Sequence, residues 1–435
     1  MTVDGMGNSH VLGAFCNSSV NIGGTTLSGA NLVGQSHCNV SVTKLSPEGS
    51  VIWARSITGT GSQNWGESIR VDQNGDVYVL GFFTGTSLTA GNVTLANQAY
   101  AGGDNAFLVK YNADGVVQWG RVLGGMTTEP IWWAGLAIGD GKVYVTGTLQ
   151  GPGTYVTFGS TTLNVGSGYD MFVTRIEPAN GTHLWASRYG STSETGWAAA
   201  DVDTDGNLYV MGTFQSASLQ FGSLVPLNNA AAGSGDVYVA KISSAGVPIW
   251  SVRAGGSASD GIDDIGALDV EGNEVAFTTT IGSATATFGA TTVSRSSIRS
   301  IVVARLSTAG VWSSAYVASS GDVWPTGVTL SSSGVIHLGG SQVGSATHLG
   351  SSQTSAGLGD AFAIRISSNG SLGWVRLFGN SGQTYVVRIA TGRGGGLVMN
   401  FDNGGSGTVT IGSTTQQLND LDSMIVHLPP SGELP

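Results

Sequence analysis

The 435-residue chain is poor in charge, proline and cysteine. Charged residues make up 10% of it, with 17 Lys plus Arg against 28 Asp plus Glu and a formal net charge of −11. That balance excludes a general nucleic-acid binder and a protein that binds anionic membranes, because both need a basic face. Hydrophobic residues reach 40%, the opposite of a disordered composition, so the chain is predicted to fold.

Long apolar runs are also absent. No stretch of about 18 apolar residues occurs, which excludes a transmembrane helix and predicts no membrane insertion. The first five residues lack the basic and apolar regions of a signal peptide, so none is predicted in this sequence. Glycine is abundant, at 69 residues, but only 10 prolines and no Gly-X-Y period accompany it, which excludes collagen.

Tryptophan marks an internal repeat, with successive copies separated by 66, 66, 65, 62 and 62 residues. The copies are Trp53, Trp119, Trp185, Trp250, Trp312 and Trp374. An apolar segment ending in a basic residue precedes each copy, as in Phe107-Leu-Val-Lys-Tyr111. Further upstream, two apolar runs flank an Asn-Gly or Asp-Gly pair, as in Val71-Asp-Gln-Asn-Gly-Asp-Val-Tyr78, which is a strong hairpin signal. A fixed period of this kind predicts a repeat architecture.

One repeat is therefore predicted to hold four strands, a to d, with a small extra hairpin between b and c, as at Phe158-Gly-Ser-Thr-Thr-Leu163. No sustained 3.6-residue apolar period is present, so almost no helix is expected. The predicted fold is all-β, a single seven-bladed β-propeller over residues 1–435. The blades fall at about 1–65, 66–131, 132–197, 198–262, 263–323, 324–384 and 385–435. The seventh copy lacks a Trp-bearing strand d. It is either three-stranded, or completed by a longer chain or by a strand from another molecule, a strand-complementing partner.

The segments Asp104-Asn-Ala-Phe-Leu-Val-Lys-Tyr111, Asp114-Gly-Val-Val-Gln-Trp119, Leu123-Gly-Gly and Val143-Tyr-Val-Thr-Gly147 carry a family resemblance. They resemble the bacterial seven-bladed β-propeller repeat family, often abbreviated SBBP. The resemblance covers nearly the whole chain in seven degenerate copies. It implies an exported, bacterial binding scaffold, and it implies no catalytic residues.

The two cysteines, Cys16 and Cys38, fall at the end of strand b and just before strand c of the first copy. Strands b and c are expected to be antiparallel neighbours, which predicts a disulfide. Such a bond places the protein in an oxidising compartment, extracellular or at the cell surface. The alternative is two separate thiols that pack as small core residues.

A metal site is suggested by Asp201-Val-Asp-Thr-Asp-Gly206, where Asp201, Asp203 and Asp205 match the start of a Ca²⁺ loop. The position of the twelfth ligand is Gly212, which has no carboxylate, so an ordinary hairpin turn is the alternative. Asp260, Asp263 and Asp264 form a second acidic segment, interpreted as a solvated loop, with cation binding as the alternative.

Aromatic residues recur just before strand a. Aligned on the a–b turn, they are Trp65, Trp132, Trp324 and Tyr385, with Trp133 and Trp197 one residue later. Loops d–a and inserts b–c gather on one face of a propeller, so these rings are candidates for stacking on sugars there. The alternative is wedge packing between blades.

The leading functional prediction is a secreted or cell-surface, non-enzymatic scaffold for adhesion. It would bind glycans or protein partners on the d–a/b–c loop face. One alternative is a propeller enzyme, a lyase or glycosidase, with its site at the central channel. Another is a structural subunit of a surface assembly. An enzyme should concentrate unlike polar residues in one or two blades, whereas a repeated binder should keep like aromatics in many.

Overall fold

The computed structural model describes residues 1–29, 38–61, 63–98, 104–126, 131–151, 155–166, 168–190, 193–261, 267–356, 358–379, 384–403, 407–411, 414–418 and 423–433. Within these ranges the chain is almost entirely β-strand, and its only helical segment is a 3₁₀ turn at Arg393–Gly395. The described part has no helix long and apolar enough to span a membrane. The prediction of an all-β chain with almost no helix is confirmed.

The strands follow the predicted order a, b, hairpin, c, d in repeats 1 to 6, and the order a, b, hairpin, c in the described part of repeat 7. In repeat 1 they are β1 (Thr2–Val3), β2 (Ser9–Phe15), β3 (Ser19–Ile22), β4 (Thr25–Ser28), β5 (Asn39–Leu45) and β6 (Val51–Gly59). Repeat 2 has β7 (Asn64–Val71), β8 (Val77–Phe83), β9 (Ser87–Ala90), β10 (Val93–Ala96), β11 (Asn105–Tyr111), β12 (Val117–Leu123) and the short β13 (Gly125–Met126). Repeat 3 has β14 (Ile131–Gly139), β15 (Lys142–Gln150), β16 (Tyr155–Phe158), β17 (Thr161–Asn164), β18 (Tyr169–Ile176) and β19 (His183–Tyr189).

The later repeats vary the pattern at their joins. Repeat 4 has β20 (Thr195–Val202), β21 (Leu208–Phe214), β22 (Ser218–Leu219), β23 (Leu227–Asn228), β24 (Asp236–Ile242) and β25 (Pro248–Gly256). Repeat 5 has β26 (Ala267–Glu271), β27 (Glu274–Ile281), β28 (Thr285–Phe288), β29 (Thr291–Ser294) and β30 (Arg299–Ser307). The 19-residue β31 (Trp312–Leu330) is strand d of repeat 5 and strand a of repeat 6. Repeat 6 continues with β32 (Ile336–His348), β33 (Ser351–Thr354), β34 (Asp360–Ile366) and β35 (Leu372–Phe378). Repeat 7 has β36 (Thr384–Thr391), β37 (Leu397–Asn403), β38 (Gly407–Ile411), β39 (Thr414–Leu418) and β40 (Ser423–Leu428).

Each repeat is an antiparallel meander. In repeat 2 the sheet order is β7-β8-β11-β12, which is a-b-c-d as predicted. The turn between a and b closes at Gly75, whose φ of 80° lies in the region that favours glycine. In repeat 7 the described strands give a three-stranded order, β36-β37-β40.

The extra hairpin pairs with strand d of the preceding repeat, which the sequence did not predict. Thr58 of β6 faces Thr89 of β9, and Gly255 of β25 faces Thr287 of β28. The hairpin strand β16 of repeat 3 pairs in the same way with β13, which follows strand d of repeat 2. In repeat 6 the last residues of β32 form the first hairpin strand, and they pair with the middle of β31. Each of these hairpins therefore joins two consecutive repeats.

The chain divides into two compact units. Unit 1 holds Met1–Trp197, Thr204–Leu208 and Ser243–Val247; unit 2 holds Ala198–Asp203, Tyr209–Ile242 and Pro248–Pro435. Within unit 1, consecutive sheets pack face to face, for example through Val42 of repeat 1 and Phe107 of repeat 2 in one apolar cluster. Unit 2 repeats this arrangement, with Val303 of repeat 5 and Leu338 of repeat 6 in another cluster. Strands with apolar side chains on both faces suit such stacked sheets.

Candidate functional site

The recurring tryptophans link one repeat to the next. Five of the six donate the indole N–H to a backbone carbonyl just after strand c of the following repeat, over 3.0–3.2 Å. The pairs are Trp53 with Ala113, Trp119 with Pro178, Trp185 with Ser244, Trp250 with Thr308, and Trp374 with Pro430. Trp312 instead packs edge-on against Phe277 and Phe288. The role of these tryptophans is therefore structural.

The basic residue of strand c supports the same contact. Lys110 donates to the Pro178 carbonyl over 3.2 Å, and Arg175 donates to the Ser244 carbonyl over 2.9 Å. The basic residue and the tryptophan face each other across strands c and d, as Lys110 faces Trp119. The basic side chains shared by the repeats are thus structural here.

A second aromatic position recurs in strand a. Trp65, Trp132, Trp324 and Tyr385 stand at the same register, opposite the equivalent residue of strand b, and we call them the aromatic row. In all four strands the pairing shifts by a β-bulge within the next one to three residues. Bulges re-aim side chains and are over-represented beside functional sites. The backbone therefore confirms the alignment of these four residues.

Within the aromatic row, the structure describes the side chains of Trp65 and Trp324. Both are half-buried. Trp65 stacks on Phe82 at 5.5 Å between ring centroids and packs against the core between repeats 2 and 3. The side chains of Trp132, Trp133, Trp197 and Tyr385 lie outside the described residues. Trp65 is thus partly committed to packing.

Trp324 has a polar neighbourhood. The Arg299 guanidinium lies over its ring at 4.5 Å from the centroid, and Arg299 Nη1 is 3.8 Å from Asp322 Oδ1. Asp322 is 42% exposed at its side chain, whereas Arg299 Nη1 is buried and has no hydrogen-bond partner. The site therefore combines an aromatic ring with a guanidinium and a partly exposed carboxylate. Arg299 carries no signal in the sequence, because it lies in strand c of repeat 5 whereas Trp324 belongs to strand a of repeat 6.

The three predicted calcium ligands have separate roles. The Asp201 carboxylate accepts the backbone N–H of Val270 over 2.8 Å. Asp203 lies 3.0 Å from both Lys241 Nζ and the Tyr209 hydroxyl, and Asp205 is exposed. No group of three His, Cys, Asp or Glu residues in the described part of the chain is arranged to hold a metal ion. The Ca²⁺ hypothesis gains no support from this geometry.

Asp201 instead pairs with a second acid, Asp269, at the equivalent position of strand a in the next repeat. Asp269 accepts the backbone N–H of Leu330 over 2.5 Å. Burial and the hydrogen-bonded Asp201 carboxylate together raise the pKa of Asp269 well above its usual value. The sequence indicates this pair only by placing an aspartate at the same position of strand a in repeats 4 and 5.

The acidic segment of repeat 5 is not a solvated loop at Asp260. This residue is 1% exposed, and its carboxylate accepts the backbone N–H groups of Gly256, Gly282 and Ser283 and the Ser283 hydroxyl. The solvated interpretation is wrong for Asp260, because buried carboxylates recruit backbone donors. Asp263 and Asp264 lie outside the described residues.

The predicted disulfide between Cys16 and Cys38 is present, with a Cα–Cα distance of 3.9 Å. It spans the start of the repeat 1 hairpin, just beyond Phe15 of strand b and just before Asn39 of strand c. A loop of this length contributes about 3 kcal/mol of stability in the chain-entropy account.

Known proteins resemble the chain as follows. No family model matches it. It is 25% identical over 317 residues to an uncharacterized WD repeat-containing protein of Acanthamoeba polyphaga mimivirus. The match covers 60% of this chain and 23% of that relative, so the chain spans about a quarter of its length.

Solved structures with some likeness share little sequence. A quinohemoprotein alcohol dehydrogenase from Comamonas testosteroni has a TM-score of 0.38 and 12% identity, covering 90% of this chain and 72% of that one. A protein of unknown function from Bacteroides caccae scores 0.35 at 11% identity, covering 78% and 89%. A GH43_1 enzyme from Xanthomonas citri complexed with xylose scores 0.30 at 11% identity, covering 70% and 88%.

The chain is therefore a repeat protein of four-strand antiparallel meanders that stack face to face within each unit, the architecture of the blades of a β-propeller.

Proposed function

We propose that this chain is a seven-bladed β-propeller of the SBBP kind, which acts outside the cell as a non-enzymatic scaffold. In this proposal it binds glycans through the aromatic row and the d–a/b–c loops around it. The observation that carries the proposal is the register: four repeats place an aromatic residue at one position of strand a, followed by a bulge. A repeated, like residue suits a binder that contacts a polymer at several points.

Trp324 is the strongest member of the row. Its ring is half-buried, and beside it lie the Arg299 guanidinium and the partly exposed Asp322 carboxylate, polar groups of the kind that bind sugar hydroxyls. Stacking one ring is worth about 1 kcal/mol, or about fivefold in affinity, so single positions would bind weakly. Several positions acting on one polymer raise avidity by ~10²–10⁴. The disulfide supports an oxidising, extracellular location.

The test is affinity electrophoresis of the wild-type protein in native gels that contain neutral or acidic polysaccharides. We expect retardation by at least one polymer, and Trp324→Ala should weaken it about fivefold while the melting temperature changes little. Trp374→Ala is the matched control, because Trp374 lies in strand d of the same repeat and has a structural role. Normal mobility of the wild type in every polysaccharide would refute the glycan proposal, and retention of a protein instead would favour a protein partner.

A second candidate function is acid–base catalysis by Asp201 and Asp269, because this pair occurs in two repeats only. Hydrogen-bonded carboxyl groups lie much closer than the roughly 5 Å or more that glycoside hydrolysis needs between its two carboxylates. The raised pKa of the Asp269 carboxyl group suits abstraction and return of a proton, the chemistry of a lyase. Absorbance at 235 nm during incubation with polyuronates would reveal unsaturated products. Activity that Asp201→Asn and Asp269→Asn both abolish would favour the enzyme over the scaffold.

A further inference from the structure

In several repeats, polar residues of strands a, b and c face one another in a line across the sheet, which we call the polar row. Repeat 1 shows all of its members. Thr2 of strand a faces His10 of strand b, His10 faces Lys44 of strand c, and Lys44 faces Trp53 of strand d. Asp4, two residues after Thr2, completes the row. Its Oδ2 lies 3.3 Å from His10 Nε2 and 3.4 Å from Lys44 Nζ.

The same aspartate recurs in repeats 2 and 4. Asp72 Oδ2 accepts the Tyr78 hydroxyl over 3.4 Å. Asp203 Oδ2 accepts the Tyr209 hydroxyl and pairs with Lys241, both at 3.0 Å. In each case one carboxylate oxygen faces strand b. We call the space that this oxygen occupies the carboxylate position.

The other carboxylate oxygen holds the a–b turn. Asp4 Oδ1 accepts the backbone N–H groups of Met6 and Asn8, and Asp72 Oδ1 accepts those of Asn74 and Asp76. A residue with a single oxygen can perform only one of these two tasks.

Repeat 6 has such a residue. Thr329 faces His337, His337 faces Arg365, and Arg365 faces Trp374, so the row repeats that of repeat 1. Ser331, however, stands where repeat 1 has Asp4. Its hydroxyl accepts the Val335 N–H over 3.1 Å, as in the a–b turn of the other repeats, and contacts the Ser333 hydroxyl.

The groups that face the carboxylate position are consequently left without partners. His337 Nε2, Arg365 Nε and Thr329 Oγ1 are all buried and form no hydrogen bond. His337 is 1% exposed. Burial, with the nearby Arg365 guanidinium second, lowers the pKa of His337 to about 4. A buried donor and a cation without an acceptor are costly, so this position is built for an acceptor that the chain does not supply.

We propose that repeat 6 binds a small carboxylate anion, such as formate or acetate, at the position that Asp4 fills in repeat 1. The anion would accept hydrogen bonds from His337 Nε2 and from the guanidinium of Arg365. The half-buried Arg365 and the exposed turn residues 332 and 333 give it a route from solvent. Carboxylate is the class of ligand because three repeats of this chain place a carboxylate oxygen there.

The probe is sodium formate, with sodium chloride at equal ionic strength as the reference. Formate should shift the ring nitrogen and carbon resonances of His337 saturably and leave those of His10 unchanged, because Asp4 already occupies the equivalent position. It should also raise the melting temperature by about 2–4 °C over chloride at saturation.

Ser331→Asp recreates the arrangement of repeat 1 and is the matched variant. It should abolish both responses to formate. Arg365→Gln removes the cation and should also abolish them, which keeps the test decisive if Ser331→Asp fails to fold. The proposal is overturned if formate and chloride act equally, if neither shifts His337, or if the variants respond as the wild type does.

Discussion

At the scale of single residues, the tryptophan of strand d links one repeat to the next. Trp250 illustrates its roles: its indole N–H donates to the Thr308 carbonyl over 3.0 Å, and its ring meets Tyr209 edge-on at 5.8 Å. A glycine of the next repeat, Gly310, lies against the same ring so closely that a Cβ there would be 2.8 Å from it. The tryptophan and the turn glycine therefore depend on each other.

We expect Trp250→Phe to lower the free energy of unfolding by about 1–2 kcal/mol, because it removes the hydrogen bond but keeps most of the apolar surface. Trp250→Ala should cost about 3–5 kcal/mol, since it also leaves a cavity. Urea unfolding of the three proteins measures both values. Equal stability of the wild type and Trp250→Phe would show that the indole N–H contributes nothing.

Buried histidines make the stability of the fold depend on pH in the acid range. Burial lowers the pKa values of His10, His183, His337 and His348 to about 4. In the unfolded chain histidine titrates near 6.5, so the unfolded state gains protons first. The stability contributed by these neutral rings is complete above pH 6.5 and is lost as the pH falls towards 4.

His183→Gln isolates one of these contributions. His183 Nδ1 contacts the Thr174 hydroxyl at 2.9 Å, and glutamine can keep a polar contact without titrating. The melting temperature of the variant should fall less between pH 6.5 and 4 than that of the wild type. Parallel curves for the two proteins would mean that His183 is not held neutral by the fold.

At the scale of elements, the extra hairpin fastens each repeat to the one before it. Strand β9 pairs on one side with β10 and on the other with β6, so it is an internal strand, whereas β10 ends its sheet. A proline inside a sheet removes a ladder hydrogen bond, but a proline on an edge strand is tolerated. Thr89 of β9 and Thr94 of β10 face each other and offer a matched pair.

Thr89→Pro should therefore destabilise the protein by about 2–3 kcal/mol, and Thr94→Pro by clearly less. Thermal unfolding of both variants provides the comparison. If the two prolines cost the same, the hairpin does not use β9 to hold the preceding repeat.

The elements also show what a single sequence can predict. The Trp53 spacing and the Asn-Gly turn at Gly75 predicted the a-b-c-d order, because turn chemistry and strand patterning act locally. The pairing of β9 with the preceding repeat was not predicted, since the choice of a strand partner is made by tertiary packing. The carboxyl pair of Asp201 and Asp269 and the position left open by Ser331 also emerged only from the register between strands.

At the scale of the whole molecule, the proposed function depends on all seven repeats closing into one ring. Only then would the aromatic row of different repeats lie on a common face and contact one polymer together. A single compact body of 435 residues has an expected radius of gyration of about 22 Å, whereas two separated halves would give about 28 Å or more.

Small-angle X-ray scattering of the monomeric protein measures this quantity directly. The account predicts a radius of gyration near 22 Å and a pair-distance distribution with a single maximum. A value near 28 Å, with a second maximum or a shoulder at long distances, would contradict a closed propeller.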